Sequence, residues 1–165
     1  HNFSFICNMH YKKSYTIQEA KQKLEAYCSY QDRCHFEVVQ KLQQMNMIPS
    51  AVEQIVAQLI SDEFLNETRF SKSFARGKFR IKKWGKIRIE NELKIRQISQ
   101  YNIRLALREI DEHEYLTTLD DLIKKRKAQI SETHPLKVKK KIADYLFYRG
   151  WESHLVFDKI NQLKL

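Results

Sequence analysis

The chain has 165 residues, with 30 Lys and Arg against 20 Asp and Glu for a net charge of +10, and 42% of its residues are hydrophobic. Only three Gly and two Pro interrupt it, so one domain or a short repeat array, almost wholly helical, is expected. No apolar run approaches the ~20 residues that span a bilayer, so no integral membrane protein is expected, and Phe3–Cys7 is too short for a signal-peptide core. Residues 1–15 are set apart as an N-terminal extension, and the start at His1 rather than Met points to vector-derived or trimmed residues. From residue 16 to 65, Ile17, Ala20, Leu24, Tyr27 and Cys28 predict one buried helical stripe, and Cys34, Val38, Leu42 and Met45 a second. Pro49 predicts the start of a third, with Val52, Ile55, Val56, Leu59 and Ile60 on one face. Residues 66–115 repeat the pattern with Phe70, Phe74 and Ile81, then Ile89 and Leu93, then, behind an N-cap at Ser99, Ile103, Ala106, Leu107 and Ile110. Residues 116–165 do so with Leu116, Leu119 and Ile123, then Val138, Ile142, Tyr145 and Leu146 between Pro135 and Gly150, then Leu155, Val156, Ile160 and Leu163.

These segments read as copies of one unit. Leu42, Leu93 and Leu146 hold the same place in each, as do Leu59, Ile110 and Leu163, at offsets of 51 and 53 residues. Periods near 50 residues mark stacked supersecondary units. Asn46 stands where the last unit has Gly150, at a helix end that wants a left-handed residue. The expected fold is all-α, an elongated curved array of three tandem three-helix repeats, with the middle unit at the centre of the concave face.

Charge is concentrated in that middle unit. From Lys72 to Arg108 there are twelve Lys and Arg against Glu90 and Glu92 alone, so this window carries the whole net charge. Its densest part holds Arg76, Lys78, Arg80, Lys82, Lys83, Lys86 and Arg88, broken only by the Trp84-Gly85 corner. A cationic patch on folded helices attracts polyanions and neutralises phosphates. Trp84 reads first as the aromatic that closes the corner, with a stacking platform for a base as the alternative. Lys137, Lys139, Lys140 and Lys141 form an auxiliary basic surface in the last unit. If Arg80 and Arg88 are surface cations, reversing both leaves the fold intact.

Enzyme chemistry has little to rest on. The three glycines make no phosphate-cradling loop, and the six His and three Cys show no metal-ligand spacing, so no cofactor and no metal are expected. The acidic cluster Asp111-Glu112-His113-Glu114 reads as a solvated linker. Cys7, Cys28 and Cys34 cannot all pair with one another, and reduced thiols in a cytoplasmic protein are expected.

One known family matches the order of these features. Asp62 to Phe70 forms an acidic turn leading into Arg69-Phe70, followed by Phe74-Ala75-Arg76, the Trp84-Gly85 corner, and Arg88-Ile89 to Leu93. This resembles the central signature of the RecX regulatory proteins over nearly the full chain, from about Thr16 onward. Lys83 replaces a frequent Gly of that signature, and Asn66-Glu67-Thr68 replaces its usual acidic pair. The resemblance implies a modulator of the RecA recombinase that acts on the RecA filament on single-stranded DNA; a monomer is expected. It also implies suppression of filament extension, ATP hydrolysis, strand exchange and co-protease activity. Non-specific double-stranded binding is a further expectation. The alternative is a helical-repeat nucleic-acid-binding protein without a recombinase partner.

Overall fold

The computed structural model describes residues 14–163. Among them are nine helices and no strand: α1 (Ile17–Tyr30), α2 (His35–Gln44), α3 (Pro49–Ser61), α4 (Glu67–Lys82), α5 (Lys86–Ile95), α6 (Gln100–Leu107), α7 (Glu112–Ala128), α8 (Pro135–Tyr148) and α9 (Ser153–Asn161). They form three successive three-helix units, and the extensive helix-on-helix packing lies within units rather than between them. The molecule is an all-α, elongated array. Cys7 and nearly all of the 1–15 extension lie outside the described residues, while Cys28 and Cys34 are free, buried thiols whose pKa burial raises.

Local chemistry repeats with the units. A side chain opens the first helix of each: Thr16 makes a capping box with Glu19, Asn66 accepts from the Arg69 N–H at 2.9 Å, and Asp111 accepts from the Glu114 N–H at 2.8 Å. Ser99 caps α6 as its position predicts. Each such cap contributes about 1 kcal/mol. The second helix of each unit ends in one kind of turn, with Asn46, Gln97 and Gly150 at φ 57°, 59° and 80°. The next residue's N–H, from Met47, Ile98 or Trp151, then reaches back 3.1 Å to the carbonyl of Leu42, Leu93 or Leu146. This Schellman turn satisfies the orphan carbonyls and buries the leucine, together with Ile98 or Trp151 in the second and third units, while Met47 in the first is half-buried. Gln97 adopts the left-handed state because those bonds and the burial of Ile98 outweigh its Cβ strain, which its residue type does not reveal.

Lys83 is left-handed too, at φ 55°, ending α4 where the resembling family often has Gly. A left-handed L-residue is strained by roughly 1–2 kcal/mol, which Gly avoids. Lys83→Gly is therefore expected to raise the melting temperature by about 2–4 °C, read by calorimetry. A lower melting temperature would show that the Lys83 side chain stabilises the corner more than its backbone strains it.

Two hydrophobic cores hold the array. Leu24, Val38, Leu42, Ile55 and Leu59 belong to a core of the first unit alone. The second and third units share one continuous core, which includes Phe79, Leu93, Ile103, Tyr115, Leu119 and Trp151. Cys34 and Phe36 of the first unit reach into it. The rest of the junction between the first two units is largely polar, through the ion pairs Arg69–Asp32 (2.8 Å) and Arg96–Glu37 (3.4 Å), with His35 Nδ1 3.3 Å from a Glu67 carboxylate oxygen. Arg69 also donates to the Glu63 and Phe64 carbonyls, and Asp62 pairs with Lys21 of the first unit.

Several expectations need correction. The 115/116 division falls inside α7, whose N-cap is Asp111, because Tyr115 turns into the shared core one turn after the helix begins. Ile81 is not a core residue but 77% exposed.

Candidate nucleic-acid interface

The Trp84-Gly85 corner owes its geometry to the third unit. The Gly85 N–H donates to the Arg149 carbonyl (2.8 Å) and the Ile87 N–H to the Gly150 carbonyl (3.1 Å). Trp151 returns a hydrogen bond from its indole to the Lys83 carbonyl (3.2 Å). A Cβ on Gly85 would overlap the Gly150 carbonyl, and one on Gly150 would overlap the Arg88 backbone, so two glycines permit this approach. Beneath them Tyr115 stacks on Trp151 with ring centroids 4.3 Å apart. Its hydroxyl accepts from the Lys86 N–H (2.8 Å) and donates to Glu152 (2.6 Å). Burial, with the Glu152 hydrogen bond, holds the Tyr115 phenol far above its ordinary pKa, so it remains a proton donor.

This joint decides what the predicted site residues can do. The Arg88 guanidinium donates to the Tyr148 carbonyl (3.0 Å) and lies over the rings of Trp84 (4.3 Å) and Tyr148 (5.0 Å). Arg88 is therefore a joint residue, and its reversal would damage the contact between units, contrary to the expectation of an intact fold. Trp84 is half-buried against the shared core, with Arg88 and Lys78 both at its ring. That environment suits the closing of a corner better than an open stacking platform.

The cations divide by helix face. Lys72, Arg76 and Arg80 recur every four residues on α4 and meet glutamates that follow the basic window in sequence. Glu109 takes Lys72 (2.9 Å) and Arg76 (2.7 Å), and Glu114 lies 3.6 Å from Arg80. Lys86 pairs with Glu112 at 2.8 Å. The acidic cluster is thus no idle linker: Glu114 turns back onto α4 and Glu112 onto α5. Lys72 and Arg76 hold the Glu109 carboxyl below its usual pKa through their hydrogen bonds. Exposed pairs of this kind contribute only about 0–1 kcal/mol, so a phosphate can displace the carboxylate at little cost.

Lys78 and Lys82, one turn apart on another face of α4, make no ion pair among the described residues, and neither does Lys83. From Arg76 to Arg88, the densest part of the window, these are the cations left for a polyanion. On the third unit Lys137, Lys140 and Lys141 are exposed and Lys139 is half-buried, with Lys140 held by Asp144 at 2.7 Å. No group of three His, Cys, Asp or Glu among the described residues could hold a metal ion, and no helix is long and apolar enough to cross a membrane.

Family models for the second and third three-helix domains of RecX match residues 66–107 and 113–160. The chain is 27% identical over 154 residues to the regulatory protein RecX of Lactobacillus johnsonii, a match that covers 93% of this chain and 57% of that protein. Against the regulatory protein RecX of Bacillus cytotoxicus it is 23% identical over 159 residues, covering 96% and 58%. It therefore spans a little over half the length of these curated relatives. The crystal structure of RecX from Lactobacillus salivarius superposes with a TM-score of 0.77 at 22% identity, over 88% of this chain and 94% of that one. A second crystal structure, of a regulatory protein RecX, gives 0.76 at 20% identity, over 88% and 75%. At such identity the superpositions establish the fold; with the two domain models, which together span more than half of the residues, they make this chain a member of the RecX family.

Proposed function

We propose that the chain is a regulator of the RecA filament, binding it on single-stranded DNA and limiting its extension, ATP hydrolysis, strand exchange and co-protease activity. Family membership supports the class of function. The observation that carries the contact is the group of unpaired cations, Lys78, Lys82 and Lys83, at the C-terminal end of α4 in the middle of an elongated molecule. Around them Lys72, Arg76, Arg80 and Lys86 sit in exchangeable surface pairs. A filament groove is a helical path bounded by protein and phosphate, and an elongated basic ligand can touch successive protomers along it. Several weak contacts made at once raise effective affinity without any one strong contact. The work assigned to the chain is binding, and no catalytic step is assigned to any residue.

The test is RecA ATP hydrolysis on single-stranded DNA, titrated with this protein. Inhibition well below one molecule per RecA is expected, because a molecule bound within or at the end of a filament acts on many protomers. Inhibition that appears only when the protein suffices to coat the DNA would instead favour a nucleic-acid-binding protein with no recombinase partner.

A further inference from the structure

A groove on α4 lies apart from the ion pairs that Glu109, Glu112 and Glu114 make. It has a volume of about 320 Å³ and lies between the α1–α2 connection, at Gln31 and Asp32, and one face of α4. That volume is at the small end of the usual range for ligand pockets. Phe70, Phe74, Gly77 and Ile81 follow one another along α4 at helical spacing and line it. Phe70 is buried in the core, Phe74 is half-buried, and Ile81 is exposed, so an apolar stripe runs out of the protein uncovered.

Gly77 is the telling residue. It sits in the interior of a sixteen-residue helix, where glycine is a poorer helix former than any residue but proline. A Cβ placed on it would meet nothing within 4 Å, so no neighbour in the fold requires its absence. Its missing side chain hollows the floor of the groove. Lys78 and Lys82 stand on the rim, and the one carboxylate in the wall, that of Asp32, is neutralised by Arg69 at 2.8 Å. The rim therefore presents net positive charge beside an apolar slot lined by an aromatic ring.

We infer that this groove receives one unstacked base of a single strand, with the adjoining phosphates on Lys78 and Lys82. The inference rests on the reading of α4 as a single-strand contact and adds the place where the base goes. Stacking of a base on an aromatic side chain tolerates any sequence, because every base has a π-face. The ring of Phe74, over which Lys78 Nζ lies at 5.2 Å and the Arg96 guanidinium at 5.0 Å, supplies the stacking surface once Lys78 turns outward to a phosphate, and the Gln31 amide and Ser73 hydroxyl lie in the lining for the base edge. Duplex DNA keeps its bases stacked, so the groove discriminates for single strands while the cations alone do not.

Gly77→Leu fills the floor without removing a charge. The substitution should raise the melting temperature by about 2–4 °C, through helix propensity, and so reports its own folding. Binding is read by anisotropy with labelled dT30, with the same strand carrying abasic positions, and with a duplex of equal length. Expected for Gly77→Leu is an approximately tenfold loss on dT30 with an unchanged salt slope, the lower part of what one stacked base contributes. Duplex affinity should not change. The abasic strand should bind the parent about tenfold more weakly than dT30 and bind Gly77→Leu no differently from dT30. Ile81→Gln, at an exposed position, should give a smaller loss in the same direction and serves as the second variant. Parent-like binding of dT30 by both variants would overturn the groove assignment while leaving the DNA contact standing. Unchanged DNA binding with lost inhibition of RecA would overturn it in favour of a protein segment in the groove. A parent without affinity for dT30 would remove the underlying reading as well.

Discussion

Replacing Lys78, Lys82 and Lys83 together by Gln is expected to flatten the dependence of single-strand affinity on salt by about two units of log–log slope. Each phosphate contact on a single strand contributes about 0.7 to that slope through counterion release. These three are the right choice because they have no carboxylate to leave behind. Removing Lys72, Arg76 and Lys86 should change the slope less, since those cations must first be released from Glu109 and Glu112. Gln keeps much of the length of these side chains, and at position 97 it already holds the left-handed state that Lys83 holds at the end of α4, so circular dichroism and melting should report a fold intact to within about 1 kcal/mol. Anisotropy with a labelled oligonucleotide across a salt series gives the slope directly. An unchanged slope would move the contact off α4, with Lys137, Lys139, Lys140 and Lys141 on α8 the next surface to test.

Gly85→Val should have the largest effect on stability of any single change at the joint. Its side chain would occupy the position of the Gly150 carbonyl, and backbone on both sides leaves no flexible atom to yield. The second and third units must then separate, breaking the Gly85–Arg149 and Ile87–Gly150 hydrogen bonds and opening the Tyr115–Trp151 stack. A loss of about 4 kcal/mol is expected, the range reserved for such steric failures in a core. For a chain of this size that lowers the melting temperature by about 8–16 °C. Trp151 is 1% exposed in the intact joint, so a red shift of tryptophan emission should accompany the loss. Melting within 2 °C of the parent, with unshifted emission, would mean that the joint yields without cost. Because this corner orients α5 against α4, the variant should also bind DNA less well, but as a consequence of shape rather than of charge.

The cationic region shows where sequence reading is dependable and where it stops. The window from Lys72 to Arg108 identifies a basic helix pair, and Lys78, Lys82 and Lys83 do present uncompensated charge there. The window closes one residue before Glu109, however, and the glutamates beyond it fold back onto Lys72, Arg76, Arg80 and Lys86. Charge counted along the chain is not charge counted on a surface. Arg88 and Trp84 carry the same lesson, since both belong to a joint whose other half lies some sixty residues away, at Tyr148, Arg149 and Trp151. The groove had one legible signal, a glycine in the middle of a helical pattern, which is tolerated at a cost and therefore asks for a reason.

Sequence alone determined the helical class, the three-unit layout and most of the core, because each follows from local rules. Apolar spacing selects the buried face of a helix, Pro49 and Pro135 mark starts, and Asn46 and Gly150 mark ends. Leu42, Leu93 and Leu146 are fully buried at the positions their repeat predicts. Only the tertiary structure decided that the first unit keeps its own core while the other two share one, that Gly85 meets Gly150, and that Tyr115 sits between Lys86 and Glu152. Those outcomes depend on which helix ends approach one another, and periodicity carries no information about partners distant in the chain. The same limit hid which cations remain free, because an ion pair is a property of space rather than of spacing.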